Sequence, residues 1–290
     1  MAVEVGAGEG GKGILLYSVG VFFFAVTDAL GKWLVADYSV GQVIALRSAG
    51  AMLVLAPLLM WRRTRFVGAR HWRLHLFRVA SSAIDTYCFY KASVTMPLAD
   101  VMTFYLAAPL IVVALSAVAL GETVGRHRWA AVLAGFVGVL IALKPSGAAL
   151  APASLLALLG SGMFAASIVA TRRLRDVPWL ELVFYQVVGS GLVGGVVAPV
   201  GWVTPSPGDA ALMGLVGIVS MSCYMCITKA LAVAPASLLA PFQYLSIVWA
   251  ALMGFLVWGD VPGPAVVAGS VVIVASGLVV LRRERVVVPA

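Results

Sequence analysis

The sequence predicts an all-α polytopic membrane protein of ten transmembrane helices, arranged as two inverted five-helix repeats. Three observations predict it. The 290-residue chain is 62% hydrophobic and only 11% charged, against about 25% charged in an ordinary soluble domain. Apolar runs of roughly 18 residues or more recur along its whole length, which is long enough for helices to cross a bilayer. The chain also repeats itself. Lys91-Ala92, Pro97, Phe104 and Gly121-Glu122 return as Lys229-Ala230, Pro235, Phe242 and Gly259-Asp260, each pair 138 residues apart. Phe24-Ala25, Thr27 and Lys32 likewise align with Phe164-Ala165, Ser167 and Arg172 at an offset of 140. Five spans per copy is an odd number, so the second copy enters the membrane from the opposite face. Repeats of this kind are the architecture of secondary transporters, with substrate bound between the two copies.

The elements follow in order. Residues 1–13 are Gly-rich with Glu4, Glu9 and Lys12, and read as a cytoplasmic tail. They lack a basic region with a small-residue cleavage site, so the first apolar run reads as an uncleaved span. The first repeat, 14–144, holds spans at 14–34, 41–61, 74–94, 99–119 and 128–144. The second, 152–281, holds spans at 152–171, 178–200, 209–229, 236–258 and 263–281, and 282–290 form a second cytoplasmic tail. Punctuation falls between them: Asp37-Tyr38-Ser39, Met96-Pro97, Lys144-Pro145-Ser146-Gly147 and Thr204-Pro205-Ser206-Pro207-Gly208. These loops are too short to form a separate domain.

The net charge of +8 would suggest nucleic acid in a soluble protein. Here the basic residues sit in short clusters between apolar runs, which excludes a nucleic-acid partner. Arg62, Arg63, Arg65, Arg70 and Arg73 follow span two, Arg126 and Arg128 follow span four, and Arg172, Arg173 and Arg175 follow span six. Arg282, Arg283 and Arg285 close the chain, whereas Lys32, Lys91 and Lys144 lie near the other side. The basic side is expected to be cytoplasmic, with both termini inside a bacterial-type inner membrane.

Several of these residues also carry a resemblance. Thr27-Asp28 with Lys32, Arg47 in span two, Arg78 opening span three, Gly121-Glu122 with its echo Gly259-Asp260, and Lys229-Ala230-x-x-x-Ala234-Pro235-Ala236 are similar to patterns of the drug/metabolite transporter superfamily. Within it, residues 12–285 resemble the EamA-type ten-span carriers, and in particular the subgroup of S-adenosylmethionine and riboflavin carriers. The resemblance implies secondary transport of small organic metabolites through a central cavity, often as export of amino acids; multidrug export is the alternative within transport.

Charged residues inside a bilayer cost roughly 2.5–3.5 kcal/mol each on insertion scales, so each needs a reason. Arg78, Ser82, Asp85 and Phe89 recur at spacings of four, three and four on one face of span three. That stripe is either a cavity wall that binds a zwitterion or a buried ion pair that fixes packing. Tyr17, Phe24, Asp28 and Lys32 form a matching stripe on span one, where Asp28 and Lys32 are spaced to pair. Arg47 has Asp28 and Asp85 as alternative partners. The second repeat is more aromatic. Phe164, Tyr224, Gln243 and Tyr244, joined by Tyr105 of the first, are candidates to line a cavity for an amphipathic ligand with a planar or apolar part. Pro109 and Pro241 interrupt spans four and nine, either as gating elements or as plain kinks.

Other features read as structural. Trp33, Trp61, Trp179, Trp202 and Trp258 lie near span ends, as an interfacial belt does. Gly135/Gly138, Gly191/Gly195 and Gly269/Gly277 permit close helix contact. Cys223-x-x-Cys226 and Cys88 are buried packing residues, and Glu122 is a loop charge or part of an inner gate. His71, His75 and His127 are interfacial and too scattered for a metal site, so neither a metal nor a cofactor is expected. A small-molecule substrate and the lipid bilayer are the expected partners, and the chain a monomer or homodimer. An intramembrane enzyme would need a nucleophile–base or metal set at membrane depth, and a non-transporting scaffold would not explain the duplication.

Overall fold

The computed structural model describes residues 7–63, 66, 71–95, 101, 104–143, 152–258 and 264–286. Arg65, Arg70, Pro97, Lys144-Pro145-Ser146-Gly147 and Gly259-Asp260 lie outside the described residues. Ten helices of thirteen residues or more run through the described chain. In the first repeat these are α1 Ala7–Asp37, α2 Val40–Arg62, α3 Trp72–Thr95, α4 Ala108–Leu120 and α5 Arg126–Leu143. The second holds α6 Pro152–Arg173, α7 Trp179–Val197, α8 Pro207–Val233, α9 Leu245–Trp258 and α10 Pro264–Val286.

Length and composition alone suffice for membrane crossing in five of them: α1 from Gly10, α2, α6, α7 and α8. The helix α3 has the length but carries Arg78 and Asp85 within it. Large apolar side chains such as Leu53, Val118 and Val196 are more than three-quarters exposed on the outside of the bundle. A water-facing surface would hide them; a lipid-facing one has no reason to.

Local chemistry ends the helices where the sequence changes character. The Ser39 hydroxyl accepts the Gln42 N–H at 3.3 Å to open α2, and Arg63 closes it in a left-handed turn. Ser206 accepts the Asp209 N–H at 3.1 Å ahead of Pro207 in α8, a serine cap followed by a first-turn proline. Gly121 closes α4 at φ +65°, a conformation that a side chain would strain.

Four elements depart from the sequence expectation. The helix α1 begins at Ala7, inside the stretch read as a tail, and α10 continues to Val286. Spans four and nine are not continuous. Phe104 and Tyr105 are helical, Leu106 and Ala107 form a turn, and α4 restarts at Ala108. In the second copy a four-residue helix, Ala236–Leu239, passes through the 3-10 segment Ala240–Tyr244 before α9 begins. Pro241 lies inside that irregular segment, whereas Pro109 sits in the first turn of α4, where a missing N–H costs nothing. Only Pro241 is therefore part of a break; Pro109 follows one.

The packing shows the duplication. The helix α1 packs on α8 as α3 packs on α6, and α4 packs on α6 as α9 packs on α1. The helix α2 packs on α8 as α7 packs on α3, while α2 with α7 and α5 with α10 each join equivalent helices of the two copies. Every one of these contacts maps onto another, or onto itself, when the copies are exchanged. Small residues set the closest approaches. Gly50 lies on Gly214 between α2 and α8, Gly217 abuts the Arg47 carbonyl, and Gly138 meets the Gly269 carbonyl between α5 and α10.

Candidate binding cavity between the repeats

Helical spacing on three elements converges on the middle of the bundle. Phe24, Thr27 and Asp28 of α1, Asp85, Thr86, Phe89 and Tyr90 of α3, and Ser220, Cys223 and Tyr224 of α8 line one lobe with Arg47 and Tyr105. About 30 Å³ of it is open to a water-sized molecule. A second lobe, with about 20 Å³ open to a water-sized molecule, shares Phe24, Asp28, Phe89 and Tyr105 and adds Leu106, Phe164, Gln243 and Ser246. The two lobes adjoin at those four shared residues.

Its walls are built from equivalent positions of the repeats. Asp85 and Cys223, Thr86 and Tyr224, and Tyr105 and Gln243 are each 138 residues apart, and Phe24 and Phe164 are 140 apart. The Phe24 and Phe164 rings meet edge to face with centroids 5.7 Å apart. Charge breaks the symmetry. Where the first copy has Asp28 and Asp85, the second has Ile168 and Cys223. One wall is therefore ionic and the other is thiol, amide and phenol.

Arg47 is 6% exposed, donates to the Tyr90 hydroxyl at 3.0 Å, and lies with its guanidinium 5.6 Å from that ring's centroid. It forms no ion pair within 4.0 Å to Asp28 or Asp85, so both expected pairings give way to the phenol. The Asp28–Lys32 pair is also absent. The Oδ2 atom of Asp28, on a residue 7% exposed, has no hydrogen-bond partner. Thr27 turns its hydroxyl back to the Phe24 and Phe23 carbonyls at 2.8 and 2.9 Å, which leaves it little to offer a ligand. Tyr105 donates to the Asp85 carbonyl at 3.0 Å, and its hydroxyl occupies space left by Gly160. Gln243 accepts the Tyr17 hydroxyl at 3.0 Å, which fixes the amide and ties the irregular segment to α1.

The polar stripe on α3 divides in two. Asp85 and Phe89 face the cavity, but Arg78 and Ser82 are not among its lining residues and bind α7. Arg78 donates to the Leu182 carbonyl at 2.7 Å and to Gln186 Oε1 at 3.1 Å; Gln186 donates in turn to Ser82 at 2.7 Å. Arg78 lies about 10 Å from Asp85 along the helix axis, at 1.5 Å per residue, and so meets a different neighbour. Tyr244 also departs from expectation. It is fully buried with its ring against Gly135 of α5, outside the lining residues.

Other sequence readings resolve similarly. His75 is buried, with its ring 4.9 Å from that of Tyr185. Cys223 is buried and free, as expected, but also lines the cavity. Lys229 sits 4.0 Å over the ring of Trp179. Glu122 is more than a loop charge: its carboxylate accepts the N–H groups of Ala236 and Ser237 at 3.1 and 3.0 Å and the Ser237 hydroxyl at 2.6 Å. It also pairs with Arg172 at 3.5 Å, while Arg172 donates to the Leu231 carbonyl at 2.7 Å and Arg173 to that of Ala119 at 2.6 Å. The ends of α4, α6 and α8 are thereby tied together at one end of the bundle. The opposite end carries a smaller tie, Tyr38 donating to Asp209 at 2.7 Å.

Sequence reasoning missed Tyr90, Thr86, Ser220 and Ser246 as lining residues. The repeat holds a signal for three of them. Thr86 is the equivalent of Tyr224, Ser220 of Ser82, and Ser246 lies one turn beyond Gln243.

Comparison with known proteins places this geometry. The model of the EamA-like transporter family matches residues 11–144 and again residues 151–282. The riboflavin transporter of Rhizobium johnstonii is 29% identical over 73% of this chain and 71% of its own. The S-adenosylmethionine uptake transporter of Rickettsia prowazekii is 23% identical over 94% of each. The pseudopaline exporter CntI of Pseudomonas aeruginosa is 29% identical over 94% of this chain and 97% of its own. A solved crystal structure at 18% identity superposes with a TM-score of 0.78 over 93% of this chain and 98% of its own, and so shares the fold.

Proposed function

Since the chain belongs to the EamA-like transporter family, we propose that it is a secondary carrier that moves a small amphipathic organic metabolite across the inner membrane by alternating access. The observation that carries this reading is the cavity itself. It lies between equivalent helices of the two copies, where a rocking motion would open it to either side in turn. Its residues suit a molecule with a planar or apolar part and polar or charged groups, such as an amino acid or a nucleoside-like or flavin-like compound. The named relatives support a metabolite of this size class, since they move riboflavin, S-adenosylmethionine and pseudopaline.

Asp28, Arg47, Asp85, Tyr105, Phe164, Tyr224 and Gln243 are the proposed substrate contacts, all of them cavity-lining. Arg78 and Ser82 support the site by holding α3 to α7. Pro241 is the proposed hinge of the irregular fourth helix. The end of the bundle bearing Arg126, Arg172 and Arg173 is the proposed cytoplasmic side.

Flux in proteoliposomes tests the function. Labelled amino acids, S-adenosylmethionine and riboflavin are offered to vesicles containing the purified chain, and at least one should cross saturably. Saturable movement of only an inorganic ion, or of none of these compounds, overturns the reading.

A further inference from the structure

We infer that the cavity is built for a cation: the transported molecule carries a positively charged head group that binds beside Asp28, while its planar or apolar part lies among the rings of the second lobe. The inference rests on the transport reading above and narrows its substrate class.

Charge balance is the first observation. Two carboxylates, Asp28 and Asp85, and one guanidinium, Arg47, line the cavity. Arg47 turns its charge toward Tyr90 and makes no ion pair with either carboxylate. The other basic groups at this depth are engaged elsewhere: Arg78 with Leu182 and Gln186, and Lys229 over Trp179. Lys32, one turn from Asp28 along α1, is only half-buried and makes no ion pair to it within 4.0 Å. Counted by formal charge, the cavity is one positive charge short, and an uncompensated buried carboxylate is unfavourable until something neutralises it.

The second observation is independent of that count. Asp28 is 93% buried and lines both lobes, and its Oδ2 atom has no hydrogen-bond partner. Buried polar atoms are normally paired, so an orphan on a cavity-lining residue points to a donor that arrives with the ligand. Phe24, Phe89 and Tyr105 line the same cavity, and aromatic rings of this kind attract a cationic group. An anion beside Asp28 would meet like charge.

Four probes of similar size test it: phenethylamine, a cation; L-phenylalanine, a zwitterion; 2-phenylethanol, neutral; and hydrocinnamate, an anion. Each is titrated against the purified full chain, with the melting temperature as readout. Phenethylamine is expected to act at concentrations about tenfold or more below the other three, a difference of about 1.4 kcal/mol in binding. In Asp28→Asn this preference should vanish while ring-dependent binding persists. Where that variant does not fold, the wild-type rank order decides alone. Equal or better binding of L-phenylalanine, 2-phenylethanol or hydrocinnamate overturns the inference, as does no binding by any probe. The two readings fail separately. If riboflavin or an amino acid crosses proteoliposomes and phenethylamine neither binds nor competes, transport stands and the cation site falls.

Discussion

Tyr90 and Arg47 show how one residue's choice of partner sets the chemistry of the cavity. A guanidinium bound by a phenol keeps its charge in place without neutralising a carboxylate. Tyr90→Phe should free the Arg47 side chain to reach Asp28 or Asp85 and so reduce transport by several-fold. A charge-assisted hydrogen bond contributes about 1.5–3 kcal/mol, so a measurable loss of thermal stability should accompany it. Unaltered flux and melting in this variant would remove Tyr90 from the site. Asp85→Asn and Arg78→Gln should behave differently from each other. Asp85 lines the cavity, so its variant should reach the membrane at normal levels with transport cut about tenfold or more. Arg78 ties α3 to α7, and its loss would leave Gln186 and the Leu182 carbonyl short of a donor. Its variant should lose folded protein and transport in parallel, measured by quantitative blotting beside flux. A folded but inactive Arg78→Gln would return that residue to the site.

At the scale of elements, the interrupted fourth helices are the distinctive parts. Both repeats break the helix near the cavity, at Leu106–Ala107 and at Ala240–Tyr244, and both breaks supply lining residues. Backbone groups released by such a break are tolerated in a membrane only where protein or a cavity satisfies them. Glu122 adds a tie at the far end of the second break, holding the start of the Ala236–Leu239 helix to Arg172 of α6. Glu122→Gln should lower stability by about 1–3 kcal/mol, because Arg172 then lacks its counter-charge and one cap weakens. Thermal unfolding in detergent reads this directly, and Arg172→Gln should give a similar loss. If both variants melt like the wild type, the tie is incidental.

For the whole molecule, exchange of the two copies predicts which loops share a side. Cysteines placed at Arg126 and Arg173 should react with a membrane-impermeant maleimide from one side, and cysteines at Ser39 and Ser206 from the other. The ties Glu122–Arg172 and Tyr38–Asp209 join the members of each group to one end of the bundle. Arg126 and Arg173 are expected on the cytoplasmic side, where basic residues concentrate. Labelling of Arg173 and Ser206 positions from the same side would break the five-plus-five arrangement.

What the sequence determined by itself is the architecture. Hydropathy marks the spans, because burying a backbone in lipid leaves few alternatives to a helix. Recurrence at 138 and 140 residues marks the duplication, and an odd count inverts it. Helical spacing and residue type also singled out Asp28, Asp85, Tyr105, Phe164, Tyr224 and Gln243, which line the cavity. Tertiary structure alone decided who meets whom. A stripe on α3 is legible as polar, yet its position along the helix sends Arg78 to Gln186 and Asp85 to the cavity. Tyr244 and Gln243 are neighbours in sequence, but one packs on Gly135 and the other reaches Tyr17. Pairing depends on the register between helices, set by close contacts such as Gly217 on the Arg47 carbonyl. No single helix carries that register in its own residues; it exists only once two of them are packed.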